Sequence, residues 1–470
     1  MKKIILFFYL LIITSANSQT KLIQIKDSLT NYSVPFSTIS FSNNKALITD
    51  EYGNFELIIN ELNSKDSLFV SAIGYEKKSF LNKDIKDSIL YILPKLVVLD
   101  EVVLSNTKLN SNQIIDSVIA KIEKNYSKDF SKNKIFISQN EKSEIVRFNI
   151  NKFKSTIEEI SPSLIDSITK NLSKNNSSSL ETLCYFYGNT DEENQKINLI
   201  KARETYNKEN DIIQSLNKQL EESFKNNVKS NSYFKIKSGI FGGDLEVDGL
   251  DETDSIQTQI DRKNNFAKNQ KNKLKNIYSD LFYQTKSPYD FILKPNKYIF
   301  SVPKLDFIGD NLVYIIKSSP KGNSKYEATL YIDSEDYAII RLDFKNVKPI
   351  VKFKLLGVSF NYFLKEGKIL ISKFNNKNYS LSYIKINGSQ NYSIERPIKL
   401  IEKNKIVKGR NKQNQISFKL DMKIEQENQI EIQVFNSSFI SNEYFKKIEE
   451  ENKVLPEFIE VFESNFWEDF

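Results

Sequence analysis

Two hydrophobic patterns open the chain: an unbroken apolar leader, then short alternating runs punctuated by turn formers. Ile4 to Ile13 is apolar throughout, Lys2 and Lys3 precede it, and Thr14-Ser15-Ala16-Asn17-Ser18 follows. A basic start, an apolar stretch and a small polar exit predict a secretory signal over residues 1–18, so the rest of the chain is expected outside the cytoplasm. The apolar run is half of the ~20 residues that a membrane helix needs, and no later run reaches that length.

Residues 20–104 read as strands. Leu22 to Ile25 opens; in Pro35 to Phe41, Phe36, Thr38 and Ser40 share one face and Ser37, Ile39 and Phe41 the other. Asp50-Glu51-Tyr52-Gly53-Asn54 is a turn in which Gly53 supplies the positive φ. Phe55, Leu57 and Ile59 then line one face, Leu68 to Ile73 is a core run ended by Gly74-Tyr75, and Ile89 to Leu93 closes before Pro94. Short strands at regular spacing predict a β-sandwich.

Farther on the period changes. Ile114, Ile115, Val118, Ile119 and Ile122 predict a helix from Ser111 to Tyr126, capped by Ser111 or Asn112, in a linking and docking segment 105–129. Residues 130–445 read as an antiparallel β-rich domain. Tyr233 to Gly239 alternates and breaks at Gly242-Gly243; Tyr326 to Ile332 and Ala338 to Phe344 form a hairpin about Asp333-Ser334-Glu335-Asp336. Further strands are expected near 357–364, 368–375, 378–387, 415–421 and 428–436. Ile212, Ile213, Leu216, Leu220 and Phe224 predict a helix over 211–224. Val454 to Glu463 reads as a helix in a terminal segment 446–470. Residues 170–180 and 260–276, rich in Asn, Lys and Ser, read as loops. The expected fold is mainly β: a sandwich, then a larger half-barrel-like antiparallel domain with helical insertions.

Composition narrows the chemistry. Sixty-seven basic and sixty acidic residues give a net charge of +7 over 470 residues, a mixed surface that argues against nucleic-acid binding. There is no histidine, so the commonest general base and metal ligand are missing. Cys184 is the single cysteine, which rules out an intramolecular disulfide; its apolar surroundings read as a buried small side chain, not a nucleophile.

Asp244, Glu246, Asp248, Asp251, Glu252 and Asp254 are the candidate calcium ligands. They lack the EF-hand register, and a solvated acidic loop is the default reading. Asp50, Glu51 and Asn54 are better explained by turn geometry than by a cation. Gly239, Gly242 and Gly243 make no phosphate loop. No acid pair stands out, although two carboxylates alone can cleave a glycoside. The terminal aromatics Phe462, Phe466 and Phe470 suggest a membrane barrel, but Lys348 to Lys354 carries lysine on both faces of a candidate strand, against that idea.

Thr49-Asp50-Glu51-Tyr52-Gly53-Asn54-Phe55, Ser71-Ala72-Ile73-Gly74-Tyr75-Glu76 and Leu99-Asp100-Glu101-Val102-Val103 together resemble the carboxypeptidase-like regulatory domain, a prealbumin-like sandwich of gram-negative envelope proteins. The resemblance covers residues 20–104 and implies a non-catalytic module. It also implies a kinship with TonB-dependent transporters, in which the Leu-Asp-Glu-Val-Val stretch leads into the plug. The order of domains resembles bacterial proteins with a large β region of unassigned role, and the 326–344 hairpin resembles the half-barrel sheets of periplasmic lipoprotein carriers. The zinc carboxypeptidase activity itself is incompatible with a chain that has no histidine.

The expected function is a non-catalytic binding or structural role in the periplasm or at the outer membrane, without cofactor. The partner would be an envelope protein, a lipid or a glycan. The alternatives are a transporter-related outer-membrane component and a carboxylate-based hydrolase. Only 366 residues follow position 104, too few for a plug and a 22-strand barrel.

Overall fold

A computed structural model describes residues 20–34, 37–41, 46–49, 52–58, 67–72, 75–85, 87–94, 109–126, 128–190, 193–206, 211–229, 231–239, 241–246, 256–308, 311–374, 378–406, 414–451, 453–459 and 464–467. Residues 1–18, expected to be a signal, and Leu99 to Val103 lie outside the described residues. The chain is mainly β, as its alternation predicts. It divides into two compact units, one of Met1–Val103 with Leu305–Val313 and Ile459–Phe470, the other of Leu104–Lys304 with Tyr314–Phe458.

The first unit holds β1 (Thr20–Asp27), β2 (Thr38–Phe41), β3 (Ala46–Ile48), β4 (Asn54–Ile58), β5 (Ser67–Ser71), β6 (Lys78–Leu81) and β7 (Ile89–Ile92). They form two sheets, ordered β4-β1-β7 and β3-β2-β5-β6. One core joins both: Ile23 and Ile25, Ile39, Phe55 and Leu57, Leu68 and Val70, Leu90 and Ile92 are all buried. The 68–73 run is buried at every second residue only, Leu68 and Val70, as a two-sheet sandwich requires. Gly53 has φ +76°, and a Cβ there would sit 2.8 Å from the Ile25 carbonyl oxygen, so this turn accepts only glycine. Tyr75 donates to Asp27, which also accepts the Leu29 and Thr30 amides.

The remaining strands form one long sheet, which carries most of the larger unit. They are β8 (Ser131–Ser155), β9 (Asn175–Gly188), β10 (Gln195–Tyr206), β11 (Ser232–Ser238), β12 (Phe241–Glu246) and β13 (Tyr298–Phe300). They continue with β14 (Lys304–Ile308), β15 (Asn311–Pro320), β16 (Tyr326–Asp333), β17 (Ile339–Asn346) and β18 (Val351–Leu355), and end with β19 (Val358–Phe374), β20 (Asn378–Asn404), β21 (Gln415–Phe439) and β22 (Glu457–Phe458). Among the described residues the path runs β13-β15-β16-β17-β19-β20-β21-β8-β9-β10-β22, with no pairing between its ends. β8, β20 and β21 are 25, 27 and 25 residues long. The separate strands expected near 357–364 and 368–375, and near 415–421 and 428–436, are therefore single strands. Polar stretches such as Glu425 to Gln429 read as loops in isolation, yet pair on both sides with β20 and β8.

Among the described residues five helices accompany the sheet: α1 (Ser111–Asn125), α2 (Pro162–Asn171), α3 (Asp211–Asn227), α4 (Ile256–Asp280) and α5 (Asn442–Lys447). Asn110, not Ser111 or Asn112, caps α1, in a capping box with Gln113 at 2.9 Å each way. The apolar stripe of α1 (Ile114, Ile115, Val118) lies in the larger unit's main core, with α4 and the 281–292 segment.

Four further expectations are corrected. Residues 260–276 are helix, because Ala267, Gln270, Leu274 and Ile277 make a buried stripe inside a polar composition. Residues from Asn175 onward are strand, fixed by pairing with both β8 and β10. Glu457-Phe458 is strand, parallel to β10 at Arg203 and Glu204; Pro456 has no amide to continue a helix, and the β10 edge supplies partners. Gly242 and Gly243 lie within β12, and the preceding turn is at Gly239, φ +64°.

Candidate functional site

The pleat of the long strands separates two faces, and each changes character along its length. Leu342, Ile369, Ile384, Ile432 and Ile137 are cross-strand neighbours in register on β17, β19, β20, β21 and β8. None is more than 1% exposed, and all belong to the core covered by α1, α4 and the 281–292 segment. Burying each stabilises the fold by roughly 1.5–3 kcal/mol.

One residue along, on the opposite face, the same strands together with β9 and β10 present a polar row: Asp343, Lys368, Lys385, Glu431, Ser138, Glu181 and Arg203. Arg341 grips Asp343 with Nη2–Oδ2 2.6 Å and Nε–Oδ1 3.0 Å. Tyr383 donates to Glu431 at 2.6 Å, while Lys385 Nζ stands 3.7 Å from its other oxygen, an ion contact too long for a hydrogen bond. Burial pushes the Glu431 carboxyl above its ordinary range, against the pull of Lys385 and Tyr383. Burial lowers Lys368, and the nearby Arg341 adds to that effect. Glu181 and Arg203 form a buried pair, Nε–Oε2 2.5 Å.

Asp343, Glu366, Lys368, Tyr383, Lys385 and Asn387 line a shallow cleft of about 280 Å³ on this face. Asp343 and Glu431 are three strand spacings apart, about 14 Å at ~4.8 Å per strand, beyond the reach of a glycosidase pair. Glu181 is two spacings from Glu431, but Arg203 occupies its carboxylate and both acids are buried.

The apolar face continues beyond the helix-covered core. Toward the far ends of β8, β20 and β21 lies a second small core, where Ile157, Ile160 and Ile416 meet Leu220 and Phe224 of α3 and Ile165 of α2. Between the two cores the strands keep their apolar alternation: Val358 and Phe360 on β19, Tyr392 and Ile394 on β20, Met422 and Ile424 on β21, Ile145 and Phe148 on β8. They are cross-strand neighbours, Phe360 with Tyr392 with Ile424 with Ile145, and Val358 with Ile394 with Met422 with Phe148. All are half-buried and belong to neither core. Their opposite face carries Ser359, Asn361, Asn391, Ser393, Asp421 and Lys423. This middle stretch is the candidate binding face. A signal for it was present, the strict alternation Ile416, Phe418, Leu420, Met422, Ile424, but it extends across a segment read as two strands and a loop.

At the outer margin of this face, β18 pairs only with β19 among the described residues. Val351, Phe353 and Leu355 lie on the apolar side, opposite Tyr362, Phe360 and Val358, and all three are exposed. Lys352 and Lys354 share the other side, so the two lysines of this strand do not fall on both faces as expected from the sequence. The hairpin turns through Leu356 and Gly357, φ +46° and +78°, a type I′ geometry. A Cβ on Gly357 would lie 2.3 Å from the Glu395 carbonyl oxygen. Buried Arg396 holds this turn, its Nη1 donating to the Leu356 carbonyl at 2.6 Å and its Nε to Ser238 Oγ at 2.8 Å.

The sequence-predicted chemistry is dispersed. Asp244 and Glu246 lie two residues apart on β12, with Asp244 exposed. Asp248, Asp251, Glu252 and Asp254 lie outside the described residues, as do Asp50 and Glu51. Cys184 is wholly buried in the main core, where burial pushes its thiol pKa up. Phe466 and Trp467 are buried edge to face, 4.8 Å between centroids, while Phe462 and Phe470 fall outside the described residues.

No family model matches the chain, and neither does any curated protein. Among solved structures it is similar to a domain named for outer-membrane lipoprotein sorting from Vibrio parahaemolyticus, TM-score 0.24 and 12% identity over 71% of this chain and 96% of that one. It is also similar to a membrane-associated protein of unknown function from Bacteroides fragilis, TM-score 0.13 and 8% identity over 89% and 97%. The MucA/MucB complex of Pseudomonas aeruginosa gives TM-score 0.16 and 6% identity over 66% and 93%. Likenesses of this size assign neither ligand nor activity to the chain.

Proposed function

We propose that this is a non-catalytic, exported protein of the bacterial envelope that holds an apolar chain, such as a lipid acyl group, against the middle of its long sheet. The observation that carries the reading is the half-buried apolar stretch between two helix-covered cores. Tyr392, Ile394, Met422 and Ile424 continue the core face without belonging to either core. A contiguous apolar patch on a folded surface marks a binding site more often than chance exposure. The leader Lys2 to Ser18 supports export, and the three motifs of residues 49–103 support a regulatory-like sandwich as the first unit. A non-catalytic role is supported by the missing histidine and by the engagement of Asp343, Glu431 and Glu181 with their own partners.

The test is titration of the purified mature protein with a dansyl-labelled fatty acid. Saturable fluorescence enhancement is expected, weakened about tenfold or more by Ile424→Glu, since burying a charge against an acyl chain costs well over 1.4 kcal/mol. Absence of saturable binding, or turnover of peptide or glycan substrates above a heat-killed control, would overturn the reading.

A further inference from the structure

We infer that the β18–β19 hairpin is a membrane-contact element that seats its edge in the headgroup layer of an anionic bilayer. The inference rests on the hairpin alone and stands whether or not the middle of the sheet holds an acyl chain. Four observations carry it.

The first is exposure without coverage. Val351, Phe353, Leu355 and Leu356 are each 46–57% exposed on a strand whose outer edge has no partner among the described residues. Exposed apolar and aromatic side chains on an open edge are a liability in water unless something covers them. The second is charge. From Phe344 to Lys365 there is no acid, and five lysines. Lys345 and Lys365 are paired with Glu366 and Asp280, and Lys348 donates to the Gly322 carbonyl. Lys352 and Lys354 remain exposed beside the apolar residues. The nearest acid on the adjoining strand, Glu395, is taken by Lys419 at 2.8 Å. The hairpin's outward charge is therefore positive.

The third is construction. Leu356 is a bulky residue at φ +46°, where backbone strain is borne only if the surroundings impose it. Arg396 imposes it from below, and the Glu395 amide donates to the Gly357 carbonyl at 2.7 Å. The turn is held rigidly with an apolar side chain at its tip. The fourth is the pairing of chemistries. An edge-on approach brings apolar side chains on one side and lysines on the other to the same depth. Lysine stems lie along apolar surface while their ammonium groups reach phosphate. The unpaired backbone groups of β18 meet headgroup oxygens and water, which limits insertion to the interface. A second copy of the chain pairing edge to edge would instead bring two lysine-bearing strands together, which β-edge lysines oppose.

The experiment is cosedimentation of the purified mature protein with phosphatidylcholine vesicles, plain or containing about a third phosphatidylglycerol, whose negative surface attracts nearby lysines. Partitioning is expected only onto the anionic vesicles and should fall with added salt. Lys352→Glu with Lys354→Glu should reduce it about tenfold or more, and Phe353→Ser should reduce it severalfold, while fatty-acid titration stays saturable. Ile424→Glu should do the reverse, so failure of the ligand reading and failure of this one are told apart. A Leu356→Cys variant carrying an environment-sensitive fluorophore gives a readout that does not depend on the lysine variants folding. Its emission should shift to the blue on anionic vesicles. Equal binding to both vesicles, an unmoved emission, or concentration-dependent dimers abolished by the lysine changes would each overturn the inference.

Discussion

Ile432 and Ile424 lie on the same face of the same strand, eight residues apart, in two different environments. Ile432 is wholly buried beneath the helix-covered core; Ile424 is half-buried in the stretch that no core claims. The pairing pattern on both sides is the same, β20 on one flank and β8 on the other. What differs is the second layer. A strand's alternation therefore reports which face is apolar, and the elements packed on it decide whether that face is core or binding surface.

The largest effects should separate these two stretches. Ile432→Ala removes buried methyl groups from a site walled by Ile137 and Ile384, and a loss of roughly 2–5 kcal/mol is expected. Ile424→Ala should cost about 1 kcal/mol or less and weaken fatty-acid binding instead. Urea unfolding midpoints at unchanged slope, followed for both variants, check the contrast. Equal losses would mean that the middle stretch is ordinary core.

The polar face allows the same comparison at lower stakes. Glu431 and Glu425 also share a strand and a face. Glu431 is buried and its carboxyl is raised, so the native state binds its proton more tightly than the unfolded chain does. A raised carboxyl gives stability that is complete below the unfolded value of ~4.3 and is lost as pH rises through the folded one. Glu431→Gln keeps an acceptor for Tyr383 and removes that loss, so the variant should be more stable than the parent at neutral pH, with the gain vanishing in acid. Glu425 is exposed and paired with Lys423 at 2.6 Å. Glu425→Gln should move stability by about 0.5 kcal/mol or less. Thermal melts from acid to neutral pH distinguish the two.

How much of this was legible in the sequence follows the same division. The sandwich was readable because its strands are short and its turns carry glycine: Gly53 has the positive φ assigned to it, and Phe55, Leu57, Leu68 and Val70 are core. The 326–344 hairpin and the helices at 111 and 211 were readable for the same local reason. The long strands were not. Their register is set by partners distant in the chain, Glu425 with Glu144 on one side and Asn391 on the other, so polar stretches that read as loops are held in the ladder. The helix over 256–280 was hidden by its composition, since four buried positions in a run of Asn and Lys leave a weak stripe. The binding face was the hardest to see. Its residues are no different in type from core residues, and only the absence of a covering element among the described residues marks them.

Another small effect tests the ladder where α1 meets it. Asp336, in the β16–β17 turn, accepts from Lys373 at 2.6 Å and Tyr379 at 2.9 Å, and its carbonyl accepts from Asn125 of α1 at 2.9 Å. Lys373 first, then Tyr379, hold its carboxyl below the ordinary range in spite of partial burial. The sign is opposite to that of Glu431: the stability is present above the unfolded value of ~3.9 and disappears as pH falls through the depressed one. Both partners of the ion pair are more than a third exposed, so solvent screening keeps the contribution below about 1 kcal/mol. Asp336→Asn should lower the melting temperature slightly at neutral pH and not at all in strong acid, where the parent has lost the same charge. The main-chain bond to Asn125 survives the substitution, so α1 should stay docked. A large loss that persists in acid would show that the turn is held by the shape of the carboxylate, not by its charge, and the contrast with Glu431 would then lie in packing alone.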